Sequence, residues 1–238
     1  MDRVFQGLTK TKRATRAANL LLVNGTEEKG YSSYQDCRKL SKESSPQDTL
    51  SALAAAINNS AINLCDQFAV HSGVVSWDGG VAVLPAPSGG GKSTLTASLI
   101  KSGFAYMSDE ALVLREDGTT ISYAKPLALS EWSSNILGIP SDAAETLLTA
   151  EDLGGEVDLG GRHVSDIILS EISSDPARMD PLPGSDGLIA LIQYSFNHYK
   201  NPREAWRISS RVASNARVWR LEYQDPLDAA ELISSTLR

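Results

Sequence analysis

The chain has 238 residues, of which 42% are hydrophobic and 21% are charged, and these proportions are ordinary for a soluble globular protein. Its 22 basic and 29 acidic side chains give a net charge of −7, which argues against extensive nucleic-acid binding. Two widely spaced cysteines, Cys37 and Cys65, support neither a disulfide framework nor a zinc site, and they favour a reducing, cytoplasmic location. The length is sufficient for one α/β domain, alone or with a small appendage.

Residues 1–46 carry the weakest structural signals. Five basic residues precede the apolar run Leu20–Val23, which is too short for a signal-peptide core or a membrane span, so no membrane association is expected. The basic cluster predicts a solvated or mobile end, with substrate docking as the alternative. Asn19–Asn24 predicts a strand that ends in an Asn24-Gly25 turn, and the polar stretch Ser41–Gln47 predicts a linker.

The main domain is expected to begin at residue 47 and to continue to residue 238. Apolar residues spaced three and four apart predict a helix over Gln47–Leu64, with Ser44 or Ser45 as its cap. Phe68–Trp77 predicts a strand, and a turn at residues 78–80 then leads into a second strand, Val81–Leu84.

The stretch Ala86–Thr94 fits the phosphate-loop pattern [AG]-x-x-x-x-G-K-[ST]. Consecutive glycines allow backbone N–H groups to surround a phosphate, Lys92 supplies a positive charge, and Ser93 offers a hydroxyl to Mg²⁺. A predicted strand precedes the loop and a predicted helix, Ser93–Lys101, follows it, which is the order that this motif requires. We therefore predict a site for ATP and Mg²⁺, formed by residues Ser88, Gly89, Gly90, Gly91, Lys92, Ser93 and Thr94.

Two acidic residues, Asp109 and Glu110, lie between the apolar runs Phe104–Met107 and Ala111–Leu114. The strand that follows the helix of the phosphate loop is expected to return beside the strand of the loop, which would bring its end close to the nucleotide. Acids at that position can hold Mg²⁺ or accept a proton from an attacking hydroxyl. The alternative is a polar turn without a catalytic role.

The rest of the sequence predicts further helices and strands of the same α/β domain, and no break in it indicates a second independent domain. We expect a single P-loop domain in which helices flank a mixed central sheet. The predicted elements are a hairpin turn at Asp117-Gly118 leading into Thr120–Tyr123, a short helix within Ser141–Ala150, strands at Val164–Leu169 and Arg217–Tyr223, a helix over Ser185–Phe196, and a last helix after Asp225-Pro226.

Three segments resemble the catalytic core of HPr kinase/phosphorylase: the stretch from His71 to Gly80, the loop Ala86–Thr94, and Gly103–Glu110. The likeness is closer to the small HPr-kinase-like proteins of bacteria, some of which are serine or small-molecule kinases. It covers about residues 67–130, and Lys125-Pro126-Leu127 resembles a phrase that follows that core. The resemblance implies the fold of the C-terminal domain of HPr kinase.

The resemblance also implies roles for individual residues. His71 matches a histidine near the transferred phosphoryl group, Asp109 matches the aspartate proposed as base, and Lys92 belongs to the phosphate loop. Glu110 matches the second acid, which with Ser93 would hold the metal. Ala86 replaces the first glycine of the family pattern and Glu110 replaces an aspartate, whereas the segment after Lys125 does not reproduce the docking region for the carrier protein HPr.

The resulting hypothesis is a kinase that transfers the γ-phosphoryl group of ATP to a hydroxyl of a peptide, a protein serine or a small metabolite. One alternative is a nucleotide-binding regulatory protein that has lost transfer. Another is a phosphorylase or phosphatase that uses the same site. One of the downstream arginines, Arg203, Arg207, Arg211 or Arg217, is a candidate for assisting transfer. Homo-oligomer formation is left open.

Overall fold

The computed structural model describes residues 21–26, 28–36, 38–140 and 145–238. These residues belong to two compact units. The large unit comprises Asp66–Leu127 and Thr149–Arg238, and the small unit comprises residues 21–65 and Ala128–Leu148. The predictions for the basic N-terminal residues and for Cys37 concern positions outside the described residues.

The helices and strands follow one another along the whole described chain. In chain order they are β1 Leu21–Thr26, β2 Gly30–Gln35, β3 Arg38–Ser44, α1 Pro46–Leu64, β4 Phe68–Trp77, β5 Gly80–Pro85, α2 Lys92–Lys101, β6 Ala105–Ser108, β7 Ala111–Leu114, β8 Thr119–Ile121, β9 Leu127–Ser130, α3 Glu131–Ile136, β10 Glu145–Leu148, a short 3-10 helix Glu151–Leu153, β11 Gly160–His163, β12 Asp166–Ile172, β13 Arg178–Leu182, α4 Gly184–Gln193, α5 Pro202–Asn215, β14 Arg217–Tyr223 and α6 Pro226–Leu237.

The small unit contains an antiparallel sheet in the order β1-β2-β3, followed by α1. The hydroxyl of Ser45 accepts a hydrogen bond from the backbone N–H of Asp48 and caps α1, as predicted. The predicted turn at Asn24-Gly25 is wrong, because both residues pair with β2 inside the sheet. The predicted linker over Ser41–Gln47 is also wrong: residues 41–44 form the end of β3, Ser45 caps α1, and Pro46 and Gln47 begin that helix.

The helix predicted within Ser141–Ala150 is wrong over residues 145–148, which form β10, and residues 141–144 lie outside the described part. β10 pairs with β9 in a two-stranded sheet. A long-range pairing of this kind overrides the weak helical preference of a short segment.

The large unit is built on a mixed sheet of nine described strands, with the order β11-β8-β7-β4-β5-β12-β14-β13 and with β6 paired to β4. The central strands β5, β12 and β14 run parallel. Val81 and Val83 of β5 pack with α4 and α5 on one face, whereas Ala82 and Leu84 pack with α2 and α6 on the other. The expected α/β class with a mixed sheet is therefore confirmed.

Strand β4 separates the two halves of the predicted site. It pairs with β5 along one edge and with β6 and then β7 along the other, so Asp109 and Glu110 form a break between two short strands. The expectation that the strand after α2 lies directly beside β5 is wrong, because the tight hairpin from Trp77 to Gly80 already places β4 there. Within the described residues, no helix has the length and apolar character needed to cross a membrane.

Candidate functional site

The segment between β5 and α2, residues 86–91, is called the glycine-rich loop below. The backbone N–H of Gly90 donates to the carbonyl of Pro87 (3.2 Å), and Gly89, the third residue of this turn, has a φ of 78°. Gly91 has a φ of 76° and no side chain caps α2. The first N–H groups of the helix therefore remain available at the loop, where the positive end of the helix dipole also lies.

Gly91 rests on the ends of two parallel strands. A Cβ atom at this position would lie 2.8 Å from the hydroxyl of Tyr223, the last residue of β14, and 3.2 Å from Cδ1 of Ile172, the last residue of β12. Burial raises the pKa of Tyr223 to about 12. The end of the loop is thus fixed against β12 and β14 by a contact that only glycine permits.

Lys92, the first residue of α2, has a buried side chain that turns back beneath the loop. Its Nζ donates to the carbonyl oxygens of Ala86 (3.1 Å) and Pro87 (2.7 Å). Burial lowers the pKa of Lys92, while the nearby carboxylates of Glu110 and Asp109 act in the opposite direction. The arrangement places the ammonium group under the glycine-rich loop.

Asp109 is buried, with 3% of its surface exposed, and three side chains contact its carboxylate. Ser93 Oγ donates to Oδ2 (2.8 Å), the Tyr106 hydroxyl donates to Oδ1 (2.9 Å), and Lys125 Nζ lies 2.8 Å from Oδ1. Burial, followed by the charge of Asp109, raises the pKa of Tyr106 well above its usual value, so Tyr106 stays protonated and remains a donor. This network connects α2 to the break between β6 and β7.

His71 of β4 and Glu110 form a second, more accessible pair. His71 Nε2 lies 3.7 Å from Glu110 Oε1, and Lys125 Nζ lies 3.9 Å from Glu110 Oε2. Burial, and then the positive charge of Lys92, lowers the pKa of His71 from 6.5 to about 4. His71 is therefore a neutral imidazole at pH 7, and its ring packs against Phe196 at a centroid distance of 5.3 Å.

The structure brings the predicted side chains into one cluster. Lys92 and Ser93 lie at the start of α2, Asp109 contacts Ser93, and Glu110 lies beside His71. The other predicted residues are backbone positions of the loop, Ser88, Gly89, Gly90 and Gly91, together with the buried Thr94 of α2. The predicted residues therefore lie in the glycine-rich loop, in the first turn of α2, or in the adjoining group formed by His71, Asp109 and Glu110.

The sequence predicted no role for three residues of the cluster: Tyr106, Lys125 and Tyr223. Tyr106 and Lys125 lie in phrases that carried the resemblance, but only the fold reveals that both contact Asp109. Among the downstream arginines, Arg217 binds Asp166 at the start of β12, at the opposite end of the parallel strands from the loop. Arg207 pairs with Glu204 on its own helix.

The donor atoms at this site suit magnesium better than zinc. The Ser93 hydroxyl and the Asp109 carboxylate are hard oxygen donors whose contacting atoms lie 2.8 Å apart. In the described part of the chain, no group of three or more His, Cys, Asp or Glu residues is arranged to hold a metal. Mg²⁺ is commonly held by one or two protein oxygens together with substrate phosphates and water, so these two residues fit it.

Comparison with protein-family models and with curated proteins finds no match for this chain.

Proposed function

We propose that this chain is a P-loop kinase that transfers the γ-phosphoryl group of ATP to a hydroxyl-bearing acceptor. The observation that carries the proposal is the hydrogen bond from Ser93 to Asp109 (2.8 Å), directly below a glycine-rich loop that opens a helix. A phosphate site of this type needs a backbone cradle, a lysine and a hydroxyl–carboxylate pair for magnesium, and the cluster contains each of them. The resemblance to HPr-kinase-like proteins points to the same activity.

The glycine-rich loop and Lys92 are assigned to the phosphates. The N–H groups of the loop would hold the phosphate oxygens, and the Lys92 ammonium would exchange its two carbonyl partners for phosphate oxygens. Ser93 and Asp109 would hold Mg²⁺, which when bound offsets the negative charge of the outer phosphates.

The roles that we propose for Asp109 and Glu110 are the reverse of those expected from the sequence. Asp109 is buried and already accepts from Ser93 and Tyr106, so we assign it to the metal. Glu110 is more exposed, and its carboxylate lies 3.7 Å from His71 Nε2 and 3.9 Å from Lys125 Nζ. We therefore assign Glu110 to the acceptor hydroxyl, oriented with the help of the neutral His71 imidazole.

The proposed transfer is a direct displacement. The acceptor oxygen attacks the γ-phosphorus, the bond from that phosphorus to the bridging oxygen of the β-phosphate breaks, and ADP leaves. The hydroxyl proton passes to the carboxylate of Glu110. Lys125, between the two carboxylates, keeps a positive charge beside them during transfer.

The proposal is tested with labelled ATP and a cell extract, followed by identification of the labelled species. Lys92→Ala should abolish MgATP binding and transfer, since the loop loses its fixed cation. Lys101→Ala, an exposed lysine at the other end of α2, serves as the matched control and should behave as wild type. If wild type binds MgATP without any transfer, the regulatory alternative is correct; if it does not bind MgATP, the phosphate-loop assignment is wrong.

A further inference from the structure

A cavity borders the start of the glycine-rich loop. It has a volume of about 300 Å³, which is at the small end of the range for small-molecule sites. Pro85, Ala86 and Pro87 form one side of it, and helix α4 forms the other. It therefore lies at the carboxyl ends of the parallel strands, where ligands of open α/β sheets bind.

Both apolar and charged side chains line the cavity. Leu169, Leu182 and Ala190 contribute apolar surface, and they are buried or half-buried. Three charged residues also line it: Glu171 of β12, Asp186 of α4 and Arg220 of β14. None of these three forms an ion pair with another residue in the described ranges, so their charges are available to a ligand.

The charged residues stand on different elements. Arg220 pairs in register with Leu169, two positions before Glu171 on the neighbouring parallel strand, and Asp186 projects from the first turn of α4. An arginine fork suits a carboxylate, and carboxylates suit an ammonium group. A ligand that carries a carboxylate and an ammonium group can therefore pair with the arginine and with the two acids.

A backbone contact connects this cavity to the candidate acceptor side of the site. Tyr194, which lines the cavity, accepts a hydrogen bond from the backbone N–H of His71 through its carbonyl oxygen (2.8 Å). The next hydrogen bond along this strand joins the N–H of Ser72 to the carbonyl of Glu110 (3.1 Å). The wall of the cavity and Glu110 are thus attached to adjacent residues of β4, His71 and Ser72.

We infer that this cavity binds the phosphoryl acceptor, and that the acceptor is a small zwitterion: a free amino acid with a hydroxyl group. The inference rests on the proposed kinase function. Arg220 would bind the carboxylate, Glu171 and Asp186 the ammonium group, and the apolar surface the carbon skeleton. The hydroxyl would then extend past Ala86 and Pro87 toward the outer phosphate.

The test measures binding and transfer separately. Binding of L-serine, L-threonine, L-homoserine and L-tyrosine is measured by calorimetry without nucleotide, and transfer is then measured with MgATP. For whichever amino acid binds, analogues that lack the ammonium group or the carboxylate are compared. Arg220→Gln should weaken binding by about 10- to 100-fold, as expected for a lost charged hydrogen bond, and leave MgATP affinity unchanged. Arg207→Gln, an exposed arginine outside the cavity, is the matched control.

The inference is supported if one of these amino acids binds through Arg220 and becomes phosphorylated. It is wrong if none binds while the protein transfers phosphate to another component of the extract, a result that leaves the kinase proposal intact. It is also wrong if an amino acid binds but is never phosphorylated by a protein that transfers phosphate elsewhere. Absence of MgATP binding by the wild type overturns the kinase proposal, and with it the acceptor role of the cavity.

Discussion

Lys125 Nζ lies 2.8 Å from Asp109 Oδ1 and forms a largely buried ion pair at the centre of the site. Lys125→Met should destabilise the protein by about 3 kcal/mol, because it leaves the Asp109 carboxylate buried without its counter-charge. Lys125→Arg keeps the charge and should retain most of the stability. Urea unfolding measures both effects, and equal stability of Lys125→Met and the wild type would show that Ser93 and Tyr106 alone suffice to hold Asp109.

The roles of the two acids are separated by paired amide substitutions. Asp109→Asn should reduce MgATP affinity and transfer rate together, because it removes the charge assigned to the metal. Glu110→Gln should keep MgATP affinity and lower the rate by about 100- to 10,000-fold, the usual contribution of a general base. The reverse outcome, with affinity lost only in Glu110→Gln, would restore the roles expected from the sequence.

The packing of Gly91 predicts a large effect from a single methyl group. Gly91→Ala should destabilise the protein and prevent MgATP binding, because its Cβ would lie 2.8 Å from the Tyr223 hydroxyl. Gly89→Ala is the matched control: its φ of 78° is nearly the same, but no atom lies within 4 Å, so only about 1 kcal/mol of backbone strain is expected. Stability curves and calorimetry measure the difference between the two variants.

Tyr223→Phe provides a second check on that contact. Removing the hydroxyl should recover part of the stability lost in Gly91→Ala. No recovery in the double variant would mean that backbone strain, and not crowding by Tyr223, causes the loss.

The pKa of His71 predicts how stability depends on pH. Because folding lowers the pKa of His71 from 6.5 to about 4, the unfolded chain binds more protons between these values, and stability falls as the pH falls through this window. Through His71, the free energy of unfolding should fall by about 2 kcal/mol when the pH is lowered from 7.5 to 5. Urea unfolding at both pH values should show a smaller loss in His71→Gln, and an equal loss would assign the effect to other groups.

Much of the fold was predictable because its signals are local. The boundaries of β4 and β14, the cap of α1 at Ser45 and the position of α2 follow from alternation, capping and motif spacing. Strand β3 was not predicted because its sequence is almost entirely polar and shows no apolar alternation. Strand β10 was not predicted because it pairs with β9, which lies elsewhere in the chain. Helix α5 was not predicted either, although Asn201 and Pro202 mark its start.

The site was predictable in part for the same reason. The loop, His71 and the two acids occur in short recognisable phrases, so the sequence located them. Their mutual arrangement depends on the pairing of β6 and β7 with the other edge of β4, which no local pattern specifies. The ion pair of Lys125 with Asp109 and the contact of Tyr223 with Gly91 follow from that arrangement and required the structure.

The position of β4 also predicts how the candidate site should be lost when the protein unfolds. Because β4 is hydrogen-bonded to β5, β6 and β7, the phosphate-binding half and the acid half of the site cannot separate without breaking this one strand out of the sheet. Its amide protons are therefore expected to be among the last to exchange with deuterated solvent. On heating, nucleotide binding should disappear in the same cooperative transition as the core, without an inactive folded intermediate.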